Sequence, residues 1–145
     1  MLRFSLIHPQ ILSALAAAGH GSTVLVADAN YAHSTGTNPA APVVQLNLSP
    51  GLVSVAQVLS ALVGAAPFER ARLMAPDDGS ASPCAHEYGA MLGPQVPVEV
   101  LPRVAFRDAC RGVDHALTIA TGDDRYYANV LLTIGAVPPR STRPD

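Results

Sequence analysis

The stretch that decides the fold of this chain spans residues 19–28 and reads Gly19-His20-Gly21-Ser22-Thr23-Val24-Leu25-Val26-Ala27-Asp28. A helix is predicted before it, because Pro9 suits a first helical turn and apolar residues follow at helical spacing. Gly19 is placed to end that helix. Residues 23–27 are β-branched or apolar throughout, which predicts a strand buried on both faces.

Strands and helices alternate outward from this stretch. Further strands are predicted at residues 43–48, 72–75, 98–101 and 116–120, with an apolar segment at 127–134. Helices are predicted at residues 52–63 and 105–111, a polar loop at 29–42, and an irregular excursion at 76–97 with one or two helical turns near 86–92. The alternation predicts one α/β domain over residues 1–145 with a largely parallel, mixed sheet, frayed at residues 1–6 and 138–145.

The composition is that of a chain with a well-covered core. Hydrophobic residues make up 49% of the 145 residues and charged residues 14%, which argues against disorder. The formal net charge is −2 without a block of Lys or Arg, so no nucleic-acid partner is expected. The sequence contains no apolar run of about 18 residues, so no membrane-spanning helix is expected. Cys84 and Cys110 form no CxxC pair, so we expect a cytoplasmic protein, and the low charge suggests an oligomer.

Asp28 is a candidate ligand-binding residue because it directly follows a buried strand. Ligands of open α/β sheets collect beyond the carboxyl ends of the strands. The loop that follows adds Asn30, Tyr31 and His33, which can all form hydrogen bonds. Asp28 could equally cap a turn through its side chain, and position alone leaves the two alternatives open.

His20 lies between two glycines, after a helix and before the buried strand. The neighbouring glycines leave its imidazole uncrowded, and histidine titrates near neutral pH, which suits general acid–base catalysis. The alternative is an exposed histidine stabilised by the dipole at the end of the helix, and this alternative is favoured where position is the only information.

A third cluster, residues 121–129, follows the strand at residues 116–120 and contains Tyr126, Tyr127 and Asn129. Hydroxyl, amide and aromatic groups together suit a sugar ligand, although a turn with tyrosine packed on the core explains the cluster equally well. No metal site is expected, because His8, His86 and His115 lack metal-ligand spacing. Phosphate-binding glycine loops and the GxSxG motif do not occur either.

Three segments of the sequence together resemble the fucose mutarotase/ribose pyranase family, over residues 7–137. The first is Leu15-Ala16-Ala17-Ala18-Gly19-His20-Gly21, followed by Asp28-Ala29-Asn30. The second is Arg103-Val104-Ala105-Phe106, which is similar to an arginine-led segment of the fucose branch. The third is Thr121-Gly122-Asp123, followed by Tyr127-Ala128-Asn129-Val130-Leu131-Leu132 and Gly135-Ala136-Val137.

The resemblance implies a three-layer α/β/α subunit in a decameric ring that acts on free monosaccharides without metal or cofactor. It implies that His20 is the catalytic residue. The sugar-binding residues that it implies are Asp28, Arg103, Tyr127, Ala128 and Asn129. Arg107 is expected to face the sugar at a position where the family tends to carry His or Tyr, and Asn30 and His33 to lie at the pocket rim, in a loop one residue shorter than is usual in the fucose branch.

The function that follows is that of a mutarotase for an L-fucose-like sugar. Opening the hemiacetal ring requires that one proton is delivered to the ring oxygen and one is removed from the anomeric hydroxyl. An imidazole with a pKa near neutral pH can deliver the proton to the ring oxygen. D-Ribose pyranase activity is the alternative within the enzyme class. A non-enzymatic sugar-binding or transport-associated module is the alternative outside it, and such a module has no use for His20.

Overall fold

A computed structural model of the chain describes residue 3 and residues 5–139. Four helices, α1 to α4, span Pro9–Ala17, Val55–Val63, Ala85–Leu92 and Arg103–Arg111. Six strands, β1 to β6, span Thr23–Ala27, Val43–Gln45, Phe68–Met74, Val98–Leu101, His115–Ala120 and Val130–Ile134. They form one sheet in the order β2-β5-β1-β6-β3-β4. All neighbouring pairs are parallel except the two made by β6, so the predicted mixed, largely parallel sheet is confirmed.

The sheet separates two hydrophobic cores, which makes the fold three-layered as expected. Alternate residues of β1 face opposite sides, because the side-chain period of a strand is two. Val24 and Val26 pack into the larger core with α1, α2 and α3. Leu25 and Ala27 pack into the smaller core with Phe106 and Cys110 of α4. Every residue of β1 is therefore buried, as the sequence predicts.

Several elements differ in length from their predictions. Strand β2 ends at Gln45 rather than at residue 48, because its one neighbour in the sheet, β5, ends opposite at Ala120. Helix α2 begins at Val55, three residues later than predicted, because Ser54 and Gln57 form a capping box. Strand β3 begins at Phe68 rather than at residue 72, because polar side chains at its exposed end interrupt the apolar pattern that predicts a strand.

The segment at residues 76–97 is more ordered than the sequence predicts. Helix α3 occupies eight of its residues and contacts α2. Tyr88 of α3 is fully buried, which anchors the segment in the larger core. Helix α4 begins two residues earlier than predicted, directly after Pro102.

Two further expectations concern the ends of the chain and membrane-spanning helices. Of the ends predicted to fray, residues 1, 2, 4 and 140–145 lie outside the described residues, whereas Leu6 is buried in the larger core. Within the described part of the chain, no helix is long and apolar enough to cross a lipid bilayer.

Candidate functional site

The candidate site begins where β1 and β6 meet at the carboxyl end of β1. Asp28 follows β1 and Asn129 precedes β6, and the antiparallel pairing of the two strands sets them side by side. The Asn129 side-chain oxygen accepts the backbone N–H of Asp28 at 2.9 Å, and its amide nitrogen donates to the Asp28 carboxylate at 2.8 Å. Both residues are buried. The structure thus joins two of the predicted site residues, 101 positions apart in the chain.

The carboxyl group of Asp28 supports the local backbone and also lines a cavity. Its Oδ1 accepts the N–H of Asn30 at 3.0 Å, which is the turn-capping bond that the sequence left open as an alternative. The group faces the cavity at the same time, so the two roles coexist. Burial raises the pKa of Asp28, although hydrogen bonds from the backbone of Asn30 and Ala128 act in the opposite direction. A raised pKa is common among carboxyl groups at functional sites.

The residues before Asn129 form a strained turn that separates the cavity from the core. Tyr127 has a φ of +60°, a left-handed conformation that costs a residue with a Cβ atom roughly 1–2 kcal/mol. Its side chain lines the cavity. Ala128 is instead buried in the larger core, and its carbonyl oxygen accepts the hydroxyl of Tyr88 at 2.9 Å. Ala128 does not line the cavity, so the structure does not bring this expected sugar-binding residue to the site.

Two arginines of α4 also line the cavity. Arg103 and Arg107 are four residues apart, which brings both to one face of the helix. The Nε of Arg103 lies 3.2 Å from the carboxylate of Asp77. The Nε of Arg107 is buried and has no hydrogen-bond partner among the described residues.

The cavity that these groups share has a volume of about 190 Å³. It is lined by Asp28, Asn30, Tyr31, Met74, Arg103, Arg107, Tyr126, Tyr127 and Asn129. Tyr126 belongs to the cluster that the sequence indicates, whereas Met74 was missed, although it ends a strand and could have been found by the rule that led to Asp28. His33 is not part of the lining; its Nε2 donates to the Asp28 carbonyl oxygen at 2.8 Å and holds the loop in place.

His20 lies at the other end of β1 from this cavity. The five residues of β1 separate it from Asp28, a length of about 16 Å. The Nε2 of His20 donates to a carboxylate oxygen of Glu69, at the start of β3, at 2.9 Å. The His20 side chain is 60% exposed, beside a larger, mainly apolar cavity of about 520 Å³. Within one chain, His20 and the Asp28 cavity therefore do not contact a common small ligand.

The turn at residues 121–125 has a structural role. Arg125 donates to both carboxylate oxygens of Asp123, at 3.0 and 2.8 Å, and to Glu87 of α3 at 2.8 Å. Asp123 in turn accepts the N–H of Val55 at the start of α2. Burial of Asp123 disfavours its charged form and so raises its pKa. The hydrogen bonds from Arg125 and Val55 outweigh this effect and hold the pKa of Asp123 below its usual value. Neither Asp123 nor Arg125 lines the cavity.

A metal is not suggested by the side chains that the structure describes. No group of three or more His, Cys, Asp or Glu residues is found there in an arrangement that could hold a metal ion.

Fold and cavity together define a class of protein: a small α/β domain with a polar cavity at the carboxyl ends of its strands, where ligands of open α/β sheets collect. The RbsD / FucU transport protein family matches residues 1–137 of the sequence. A D-ribose pyranase from Paracidovorax citrulli is 31% identical over 138 residues, which cover 93% of this chain and 98% of that protein. The chain belongs to the RbsD / FucU family.

Solved structures support the fold. Bacillus subtilis RbsD complexed with D-ribose superimposes with a TM-score of 0.79 at 22% identity, over 94% of this chain and 99% of that one. The fucose mutarotase from Streptococcus pneumoniae, in complex with L-fucose, gives a TM-score of 0.79 at 23% identity, over 95% of this chain and 100% of that one. The α/β architecture expected from the sequence is thereby confirmed.

Proposed function

We propose that this protein is a monosaccharide mutarotase, which interconverts the ring forms of a free sugar in the cytoplasm. The observation that carries the proposal is the cavity at Asp28. It sets a buried carboxyl–amide pair and tyrosines opposite two guanidinium groups, around a space of about 190 Å³. Drug-sized ligands fill roughly 300–1,000 Å³, so this space suits a smaller polar molecule. Family membership supports a sugar as that molecule.

The proposed reaction is the opening and closing of the hemiacetal ring. The anomeric hydroxyl loses its proton while the bond between the anomeric carbon and the ring oxygen breaks, and that oxygen gains a proton. The open-chain aldehyde rotates and closes again in the other form. His20 is the proposed acid that protonates the ring oxygen, because imidazole titrates near neutral pH. Asp28, Tyr127 and Asn129 would orient the sugar hydroxyls.

His20 can serve this cavity only if it comes from a second copy of the chain. The length of β1, about 16 Å, is far more than a monosaccharide spans with hydrogen bonds of roughly 3 Å. We therefore infer that each reactive site is shared, with His20 from one subunit and the Asp28 cavity from the next. The apolar cavity beside His20 supports a protein contact at that end of the sheet. The family resemblance favours a ring of ten subunits.

The candidate sugars are D-ribose and L-fucose. Two relatives that are 31% and 32% identical over 98% of their length are named D-ribose pyranases, which favours ribose. The expectation of an L-fucose-like substrate rests on the segment that begins at Arg103 and on the pair His33-Ser34; Arg103 lines the cavity, whereas His33 and Ser34 do not. The family description as transport proteins keeps a non-enzymatic sugar-binding module as the alternative.

Saturation-transfer NMR tests the activity directly. Saturating one anomeric proton should deplete the signal of its partner form when protein is added, for D-ribose, L-fucose or both. Binding without accelerated exchange, seen as ligand line broadening alone, would support the sugar-binding module instead. The sugar that exchanges faster at equal concentration is the preferred substrate.

Mixed oligomers test whether the site is shared. His20→Gln and Asp28→Asn subunits, each expected to be inactive alone, are produced in one cell with different tags and purified through both tags. Random assembly should give about a quarter of the sites both native residues and should restore about a quarter of the exchange rate. Light scattering on the same sample gives the number of subunits. A mixed oligomer that stays inactive, or an active monomer, would rule out a shared site.

A further inference from the structure

The two arginines of the Asp28 cavity differ in how their charge is balanced. Arg103 is paired with Asp77 at the surface, with an Nε–carboxylate distance of 3.2 Å. Arg107 makes no ion pair among the described residues. Its Nε is also buried without a hydrogen-bond acceptor in that part of the chain. A buried donor without a partner costs about 1–3 kcal/mol, so a ligand that supplies an acceptor there gains binding energy.

The acidic group in the same cavity, Asp28, makes no direct ion pair with Arg107. The carboxylate oxygens of Asp28 accept hydrogen bonds from the Asn129 side chain and the Asn30 backbone. Both oxygens are therefore occupied by neutral donors. Asp28 keeps its negative charge when neutral groups donate to it, but neither of its oxygens forms an ion pair with Arg107.

The position of α4 adds to the positive potential of Arg107. The helix follows β4 and so begins at the carboxyl end of the parallel strands, and its first residue, Arg103, lines the cavity. No side chain caps this helix start, and its first turn has no acidic residue. Free N–H groups and the helix dipole favour an anion at such an end. The helix start and the unpaired Arg107 thus favour the same kind of ligand.

We propose that the Asp28 cavity takes a monosaccharide that carries an anionic group, a carboxylate or a phosphate, and that Arg107 binds that group. The proposal rests on the proposed function, since it names the substrate class of the same site. Guanidinium groups pair with both anions in a bidentate, charge-assisted geometry. A sugar acid, or a sugar phosphorylated away from its anomeric carbon, keeps the free hemiacetal that ring opening requires.

Binding to matched neutral and anionic sugars tests the proposal, by calorimetry on the intact oligomer. D-Galacturonate is compared with D-galactose for the carboxylate, and D-ribose 5-phosphate with D-ribose for the phosphate. We expect at least one anionic sugar to bind about tenfold or more tightly than its neutral partner, as one charge-assisted hydrogen bond allows. The pair with the larger ratio identifies the anion. Acetate and inorganic phosphate measure how much the anion contributes alone.

The variant Arg107→Gln should remove this preference, so that the anionic and the neutral sugar of each pair bind with affinities within about threefold of each other. Arg111→Gln is the matched control, because Arg111 lies on the same helix outside the cavity and is half exposed. Equal affinities within both pairs, or a preference that survives Arg107→Gln, would overturn the proposal. Accelerated exchange of neutral sugars in that case would leave the mutarotase itself intact, whereas failure of every sugar to bind would count against both.

Discussion

At the scale of single residues, Glu69 controls the orientation of the His20 ring. Its carboxylate accepts the Nε2–H of His20 at 2.9 Å, and His20 Nδ1 has no hydrogen bond among the described residues. This hydrogen bond keeps a proton on Nε2, so Nδ1 is the atom that carries the transferred proton: it donates when the ring is doubly protonated and accepts when the ring is neutral. Glu69 is thus a positioning residue for the proposed acid.

Glu69→Gln should lower the rate of sugar exchange about tenfold, because a charge-assisted hydrogen bond becomes a neutral one. The measurement is NMR exchange on the variant, with ¹⁵N shifts of His20 reporting the loss of the single tautomer. Glu99→Gln is the control, since Glu99 is also exposed and paired, in its case with Arg72 at 3.6 Å. Unchanged tautomer and rate in Glu69→Gln would show that Glu69 does not orient the ring.

The sequence allows some of these residues to be predicted and not others. Asp28 and Asn129 could be found because both adjoin buried strands, and ligand sites form where strands end. The contact between His20 and Glu69 could not, because it spans 49 positions and depends on β6 lying between β1 and β3. The missing partner of Arg107 is likewise a property of packing, which no local pattern encodes.

Arg125 links three elements and is expected to matter for stability alone. Its guanidinium group donates to the buried carboxylate of Asp123 and to Glu87 of α3. The Asp123 carboxylate also accepts the first N–H of α2. Arg125→Met leaves the Asp123 carboxylate, which is 2% exposed, without its counter-charge. We expect the free energy of unfolding to fall by about 2–4 kcal/mol.

Denaturant unfolding of Arg125→Met beside Arg111→Met checks this expectation, since the exposed Arg111 pair should contribute less than about 1 kcal/mol. Sugar binding by Arg125→Met should be unchanged under conditions where the variant is folded, because Arg125 does not line the cavity. Equal losses of stability in the two variants would contradict the structural role of the turn.

Element boundaries were predictable where apolar runs are continuous. The bounds of β1 match the prediction because it is a continuous apolar or β-branched segment, and those of β4 match because only one polar residue, Glu99, stands among its apolar residues. The amino end of β3 was missed because Glu69 and Arg70 interrupt the apolar run. These residues join the sheet through pairing with β6, a non-local interaction that overrides local propensity.

At the scale of the whole molecule, His115 makes folding stability depend on pH. It is 4% exposed at the start of β5, and burial lowers its pKa to about 4. The unfolded chain binds this proton below pH 6.5 while the folded protein does not, so stability falls as the pH drops from 6.5 towards 4. The contribution lost between pH 7.5 and pH 5 should be about 2 kcal/mol.

Asp28 has the opposite effect on the pH dependence of stability. Because its pKa is raised, the folded protein protonates this carboxyl group at a higher pH than the unfolded chain does. The effect of His115 is therefore isolated by comparing the native protein with His115→Gln at both pH values. The variant should lose about 2 kcal/mol less stability than the native protein on acidification. Parallel losses in the two proteins would mean that His115 has the same pKa in the folded and unfolded states.

Strand β1 sets a fixed dimension for any assembly in which the shared site forms. It lies inside the sheet, hydrogen-bonded on both sides to β5 and β6, so its length cannot change without moving both neighbours. The strand therefore fixes a distance of about 16 Å between His20, the proposed proton donor, and the Asp28 cavity of the same subunit. Two added residues would preserve the alternation of buried faces yet shift His20 by about 7 Å, which puts it out of reach of the next subunit. The loops of this fold are free to change size, whereas its central strand is not.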